Sequence, residues 1–128
     1  MKNIKILVVE DESIIALELK MKLLTKGYES VYLASSGEKA VELANEIIPD
    51  LILMDIVLRG NIDGIEAATQ IKAKRNIPII YITGNSHLAS DKRLIKTNPI
   101  RVLTKPTIDE ALYHAIREAI SEKEKNNI

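Results

Sequence analysis

The chain has 128 residues, with 18 Lys plus Arg against 18 Asp plus Glu, 46% hydrophobic residues, four Tyr but no Phe or Trp, and no cysteine. That length suits one domain, here residues 1–128, that buries its own core, and the even charge balance offers no general surface for nucleic acid or membrane. The missing cysteines exclude disulfides and thiolate metal sites, and no apolar run approaches the ~20 residues that span a bilayer.

The first apolar run, "IKILVV" (4–9), is rich in β-branched residues and predicts a strand. Carboxylates end it at once, so it is no signal peptide, and the chain reads as cytoplasmic. Ile14, Leu17, Met21 and Leu24 recur at helical spacing, and Gly27 is placed to end that helix. "VYLA" (31–34) predicts a second strand. Ser36 can cap a helix carrying Ala40, Val41, Ala44 and Ile47. "LILM" (51–54) predicts the third strand, and Ile65, Ala68 and Ile71 mark the third helix. "IPIIYIT" (77–83) follows as strand four, then a weaker, polar helix over 87–96. "IRVL" (100–103) predicts strand five, and Ile108, Leu112, Ala115 and Ala119 mark a last helix that runs into the charged "SEKEKNNI".

Continuous rather than alternating hydrophobicity points to strands covered on both faces, as in parallel sheets. The order is (βα)5, and right-handed crossovers make it an α/β doubly wound sheet. Ligands of such sheets sit at the carboxyl ends of the strands. There the chain delivers Glu10, Asp11 and Glu12 after strand one, Asp55 after strand three, Thr83-Gly84-Asn85 after strand four and Lys105-Pro106 after strand five.

Alone, a carboxylate at a strand end caps a helix or closes a turn. Together these residues make a charged cluster. Two like unit charges ~4 Å apart cost about 4 kcal/mol at an effective dielectric of ~20. The cluster needs a cation, and its oxygen-only ligands favour Mg²⁺. Lys105 adds a mobile positive charge. Removing one acid, Asp11, is expected to relieve repulsion and stabilise the metal-free fold. Asp50 reads as a turn residue, His87 and His114 as surface, and Gly64 as serving the loop into helix three.

The pattern "LVVEDE", "DLILMDIVL…DG", "YITG" and "TKP" resembles the receiver domain of two-component response regulators, similar to the chemotaxis receiver. The resemblance implies a flavodoxin-like sheet in the order 2-1-3-4-5. It implies that Asp55 is the phosphoacceptor for a sensor histidine kinase or phosphotransfer protein. Glu10, Asp11, Asp55 and the Val57 backbone carbonyl would hold Mg²⁺. Thr83 would bond a phosphoryl oxygen and Lys105 would pair with another, with Lys105-Pro106 cis.

Such a phosphoprotein is a signalling switch, not an enzyme beyond its own phosphorylation and slow self-dephosphorylation. It would control an output domain or partner without touching nucleic acid or membrane, with a homodimer through the helix 4–strand 5–helix 5 face as an option. The chain departs from the pattern at Glu10, in the loop "IVLRGNIDG", which is one residue longer and lacks Pro, and at Val102, where an aromatic is usual. The alternative reading is a phosphorylation-independent interaction module. A hydrolase with an aspartyl intermediate is opposed by Val57, which stands where a second acid is needed. No output segment is readable after helix five, so the chain either docks a partner or is a fragment of a longer regulator.

Overall fold

The computed structural model describes residues 3–126. Residues 1, 2, 127 and 128, the ends of the expected domain and of the charged tail, lie outside the described residues. The elements follow the expected alternation: β1 (Lys5–Val9), α1 (Ser13–Thr25), β2 (Ser30–Ala34), α2 (Gly37–Ile47), β3 (Leu51–Asp55), α3 (Gly64–Lys74), β4 (Ile79–Thr83), α4 (Lys92–Lys96), β5 (Arg101–Thr104) and α5 (Asp109–Asn126). The strands pair in parallel in the order β2-β1-β3-β4-β5. This is the flavodoxin-like α/β arrangement, with β1 and β3 meeting where the winding reverses.

Successive strand residues point to opposite faces, and the core divides accordingly. Leu7, Val9, Ile52, Met54 and Tyr81 pack with α2 and α3. Ile6, Val8, Leu51, Leu53, Ile80 and Ile82 pack with α1 and α5. Both sets are buried, which is why β1, β3 and β4 read as unbroken apolar runs.

The Ile14 stripe that marks α1 in the sequence is not its buried face. Ala16, Leu19 and Leu23 are buried, whereas Ile14, Leu17, Met21 and Leu24 are 77, 55, 57 and 40% exposed. The helix carries two apolar stripes on opposite sides, and periodicity alone cannot say which one meets the sheet. Leu19 and Leu23 join the core beside Ile6, Val8 and Val31. Gly27, at φ +95°, ends α1 as its position suggested. Ser36 caps α2 by accepting from the Lys39 N–H at 3.1 Å.

The helix expected over 87–96 is divided. A 3-10 turn spans Ser86–Ser90, and α4 covers only Lys92–Lys96. Asn85 accepts from the His87 N–H at 3.0 Å, and Asp91 accepts from the Arg93 N–H at 2.8 Å. Each side chain starts a new helical turn, so one polar segment is capped twice. Asp50 does more than turn the chain. Its carboxylate accepts from the Lys5 N–H at 2.8 Å, tying the start of β3 to the start of β1.

Gly64 is the first residue of α3 rather than part of the loop before it. Its N–H donates to the Ile56 carbonyl at 2.8 Å, and a Cβ there would run into the carbonyl oxygen of Asp55. Backbone cannot yield as a flexible side chain can. Gly64→Ala is therefore expected to lower stability by about 1–3 kcal/mol, the usual cost of overpacking, measured by urea denaturation. A variant as stable as the wild type would show that α3 can withdraw from β3 freely.

Candidate functional site

The same alternation that divides the core assembles the site. Glu10 continues the Ile6–Val8 side of β1, Asp55 continues the Leu51–Leu53 side of β3, and Lys105 follows Leu103 of β5. All three therefore emerge on the α1–α5 side of the sheet edge. The Lys105 N–H donates to the Thr83 carbonyl at 2.8 Å, which extends the β5 ladder to the lysine itself. Its ammonium lies 2.8 Å from Glu10 Oε1 and 2.9 Å from Asp55 Oδ2. The next peptide, Lys105-Pro106, is cis, as the resemblance implied.

Asp11 completes the acidic group: ligand atoms of Glu10, Asp11 and Asp55 all lie within 4.8 Å of one another. They open into a cleft of about 410 Å³ whose wall includes Val57, Arg59, Gly84 and Asn85. Glu10 Oε2 accepts from the Glu12 N–H at 3.1 Å, and Asp55 Oδ1 accepts from the Val57 N–H at 3.3 Å. Thr83 ends β4 on the opposite parity, after Ile79 and Tyr81. It is buried, and its hydroxyl accepts from the Asn85 N–H at 3.1 Å. Glu12 lies on the cleft wall, while His87 and His114 are on the surface.

Arg59 was not singled out in the sequence. Its backbone N–H and its Nε donate to Asp11 Oδ2 at 2.9 and 3.2 Å. The available signal was a cation four residues past Asp55 in a loop one residue longer than usual.

The electrostatics are uneven. Burial pushes the Asp55 carboxyl up to about 6; Lys105 pulls against this and the Glu10 charge adds to it. Burial also acts on Asp11, but hydrogen bonds from the Arg59 backbone and guanidinium outweigh it and hold that carboxyl below its ordinary value. The Asp11 charge is thus supported by Arg59, whereas at Asp55 burial and the nearby Glu10 charge oppose ionisation. Burial opposes the charged form of Lys105, yet its bonds to Glu10 and Asp55 prevail and raise its pKa.

Three carboxylates with no sulfur or imidazole among them suit a hard divalent cation. The donor set present thus fits Mg²⁺, with Glu10, Asp11 and Asp55 as its side-chain ligands. No helix among the described residues is long and apolar enough to cross a membrane.

The model of the response regulator receiver domain matches residues 6–117. The transcriptional regulatory protein PdtaR of Mycobacterium tuberculosis is 38% identical over 117 residues, which are 91% of this chain and 57% of that protein. The chain thus spans about half the length of the curated relatives it matches. Among solved structures, the signal receiver domain of a modulated diguanylate cyclase from Desulfovibrio desulfuricans superposes with a TM-score of 0.87 at 35% identity, covering 95% of this chain and 97% of that one. The response regulator TrrA of Thermotoga maritima, solved in complex with Mg²⁺-BeF, gives 0.83 at 31% identity, covering 91% and 98%.

The raised Asp55 value has a sign that can be measured. Between the ordinary value of 3.8 and about 6, the metal-free folded state keeps a proton that the unfolded state has lost. Stability therefore falls as pH rises through that window, and the ionised carboxylate costs on the order of 2 kcal/mol above it. Asp55→Asn has no such cost. Its stability relative to the wild type, by chemical denaturation with a chelator present, should grow from pH 4 to pH 7 by that amount. A gap that stays constant with pH would show that Asp55 is not destabilised by its charge.

Proposed function

This chain belongs to the response regulator receiver domain family, and from that premise we propose that Asp55 accepts a phosphoryl group from a sensor histidine kinase or phosphotransfer protein. The observation that carries this reading is Lys105, whose ammonium bridges Glu10 and Asp55 at the sheet edge.

An Asp55 oxygen attacks phosphorus as the bond to the donor imidazole breaks; the electron pair leaves with the imidazole, and an acyl phosphate remains on Asp55. Such transfers depend on in-line positioning and on neutralising oxygen charge. Strand β3 holds the nucleophile rigidly, and Lys105 pairs with oxygens of the arriving group. Glu10, Asp11 and Asp55, with the Val57 carbonyl, would hold Mg²⁺, which when bound would neutralise phosphoryl oxygens. Thr83 exchanges its bond to Asn85 for one to the phosphoryl group, which draws on the segment 84–89.

The exposed α1 stripe supports docking of the donor protein. On a different face of the same helix, a groove of about 370 Å³ is lined by Ile15, Leu19, Lys22, Pro106 and Lys105 itself. The signal then passes to an output domain or partner, with a homodimer through α4–β5–α5 as a further option. We place the protein in the cytoplasm and give it no turnover beyond its own phosphorylation and dephosphorylation. The alternative, an interaction module indifferent to phosphate, gives no reason for a buried acid at Asp55 that needs the Lys105 ammonium.

The test is uptake of phosphate from a small acyl-phosphate donor, read by intact mass. Label should appear with Mg²⁺, vanish with chelator, and be absent from Asp55→Asn. Equal labelling of the Asn variant would remove Asp55 as the acceptor, and no labelling of the wild type would favour the alternative.

A further inference from the structure

The three acids of the cleft share two resident cations of different character. Lys105 is enclosed, its side chain 27% exposed, and it spans Glu10 and Asp55. Arg59 stands at the lip, its side chain 79% exposed, and reaches only Asp11. Two donors of Arg59 use one oxygen, Asp11 Oδ2, but they are not equivalent. The backbone N–H is held in place by the loop around it. Gly60 turns at φ +116°, the Asn61 N–H donates to Glu38 at 3.4 Å, and Asp63 caps α3 by accepting from Glu66 at 2.8 Å. Among the described residues the guanidinium is bound by its own ion pair alone. An exposed pair of this kind is weak and screened by salt.

We propose that Arg59 is a displaceable counter-ion: it occupies Asp11 in the metal-free domain, competes there with the divalent cation, and swings away when that cation binds. The inference rests on the reading of the acidic group as a Mg²⁺ site and adds a residue that sets its affinity. Asp11 is left with its backbone bond to Arg59, so its carboxylate stays aimed while its charge changes partner. A cation is thereby exchanged for a cation, and the cleft never carries three uncompensated acids.

The experiment is a Mg²⁺ titration of the full chain at low salt, followed by amide and arginine Nε–H resonances in NMR. The Arg59 Nε–H signal should move towards the position of a free arginine at the same Mg²⁺ concentrations that shift residues 10–12 and 55–57. Arg59→Gln should bind Mg²⁺ about 2–5-fold more tightly, the range an exposed ion pair allows, and the gain should shrink at high salt. Lys92→Gln, which removes an exposed cation of α4 away from the cleft, should change affinity less. An Arg59 signal that stays put at saturation, an unchanged affinity in Arg59→Gln, or an equal gain in Lys92→Gln would overturn the proposal. If Mg²⁺ binds equally to wild type and Arg59→Gln, the inference falls and the metal site stands. If neither binds Mg²⁺, the site falls and the inference with it. A wild type that displaces Arg59 on binding Mg²⁺ but takes up no phosphate would uphold the inference and refute the phosphoacceptor.

Discussion

Asp55 ends a strand that is buried on both faces, and a carboxylate in that position must be compensated on the spot. Compensation cannot come from the same strand, whose other residues are Leu51, Ile52, Leu53 and Met54. It arrives from β5, fifty residues away, because β4 places that strand beside β3 at one remove and the ladder runs on to the Lys105 N–H. The ammonium then meets Glu10 as well as Asp55. A single cation between two acids leaves the group short of positive charge, and this shortage suits the edge to a further cation.

Much of this was readable in the sequence for one reason. In a doubly wound sheet the carboxyl ends of the strands face one edge, so Glu10, Asp11, Asp55 and Lys105 could be gathered without knowing any distance. The strands were readable because burial on both faces leaves no room for polar residues, and "LILM" admits no other assignment at its length. Thr83 was legible as a strand end, but not in its present bonding. Its parity differs from that of Asp55, and a hydroxyl can close the local turn through Asn85 instead of facing the cleft.

What the sequence withheld depends on choices between equivalent patterns or on pairings across loops. The stripe of Ile14, Leu17, Met21 and Leu24 and the stripe of Ala16, Leu19 and Leu23 both have helical spacing, and only packing decides between them. The segment 86–96 has two possible capping residues, Asn85 and Asp91, and the chain uses both rather than one. Arg59 meets Asp11 across 48 positions of sequence, through a loop whose course is set by contacts with α2. No period or local propensity reports such a contact.

The elements around Thr83 differ in how firmly they are held. Val102, where the family usually carries an aromatic, sits beside Tyr81 on the neighbouring strand. A valine is stiff and short, and the ring of Tyr81 is fully buried with its hydroxyl 2.7 Å from that of Thr97. Thr97 in turn donates to the Leu94 carbonyl at 2.6 Å, so β4 grips the end of α4. The start of α4 is held by Arg93, which pairs with Asp63 at the head of α3. Both ends of that short helix are thus tied to the body of the domain, and the ring of Tyr81 is not free to swing. Among the described residues, the segment between Gly84 and Ser90 is bonded to its own turn and to the Thr83 hydroxyl, and Gly84 is open on the side where a Cβ would stand. Leu88 is the side chain of this segment that packs on the core, so backbone on either side of it is held by fewer contacts than the ring of Tyr81.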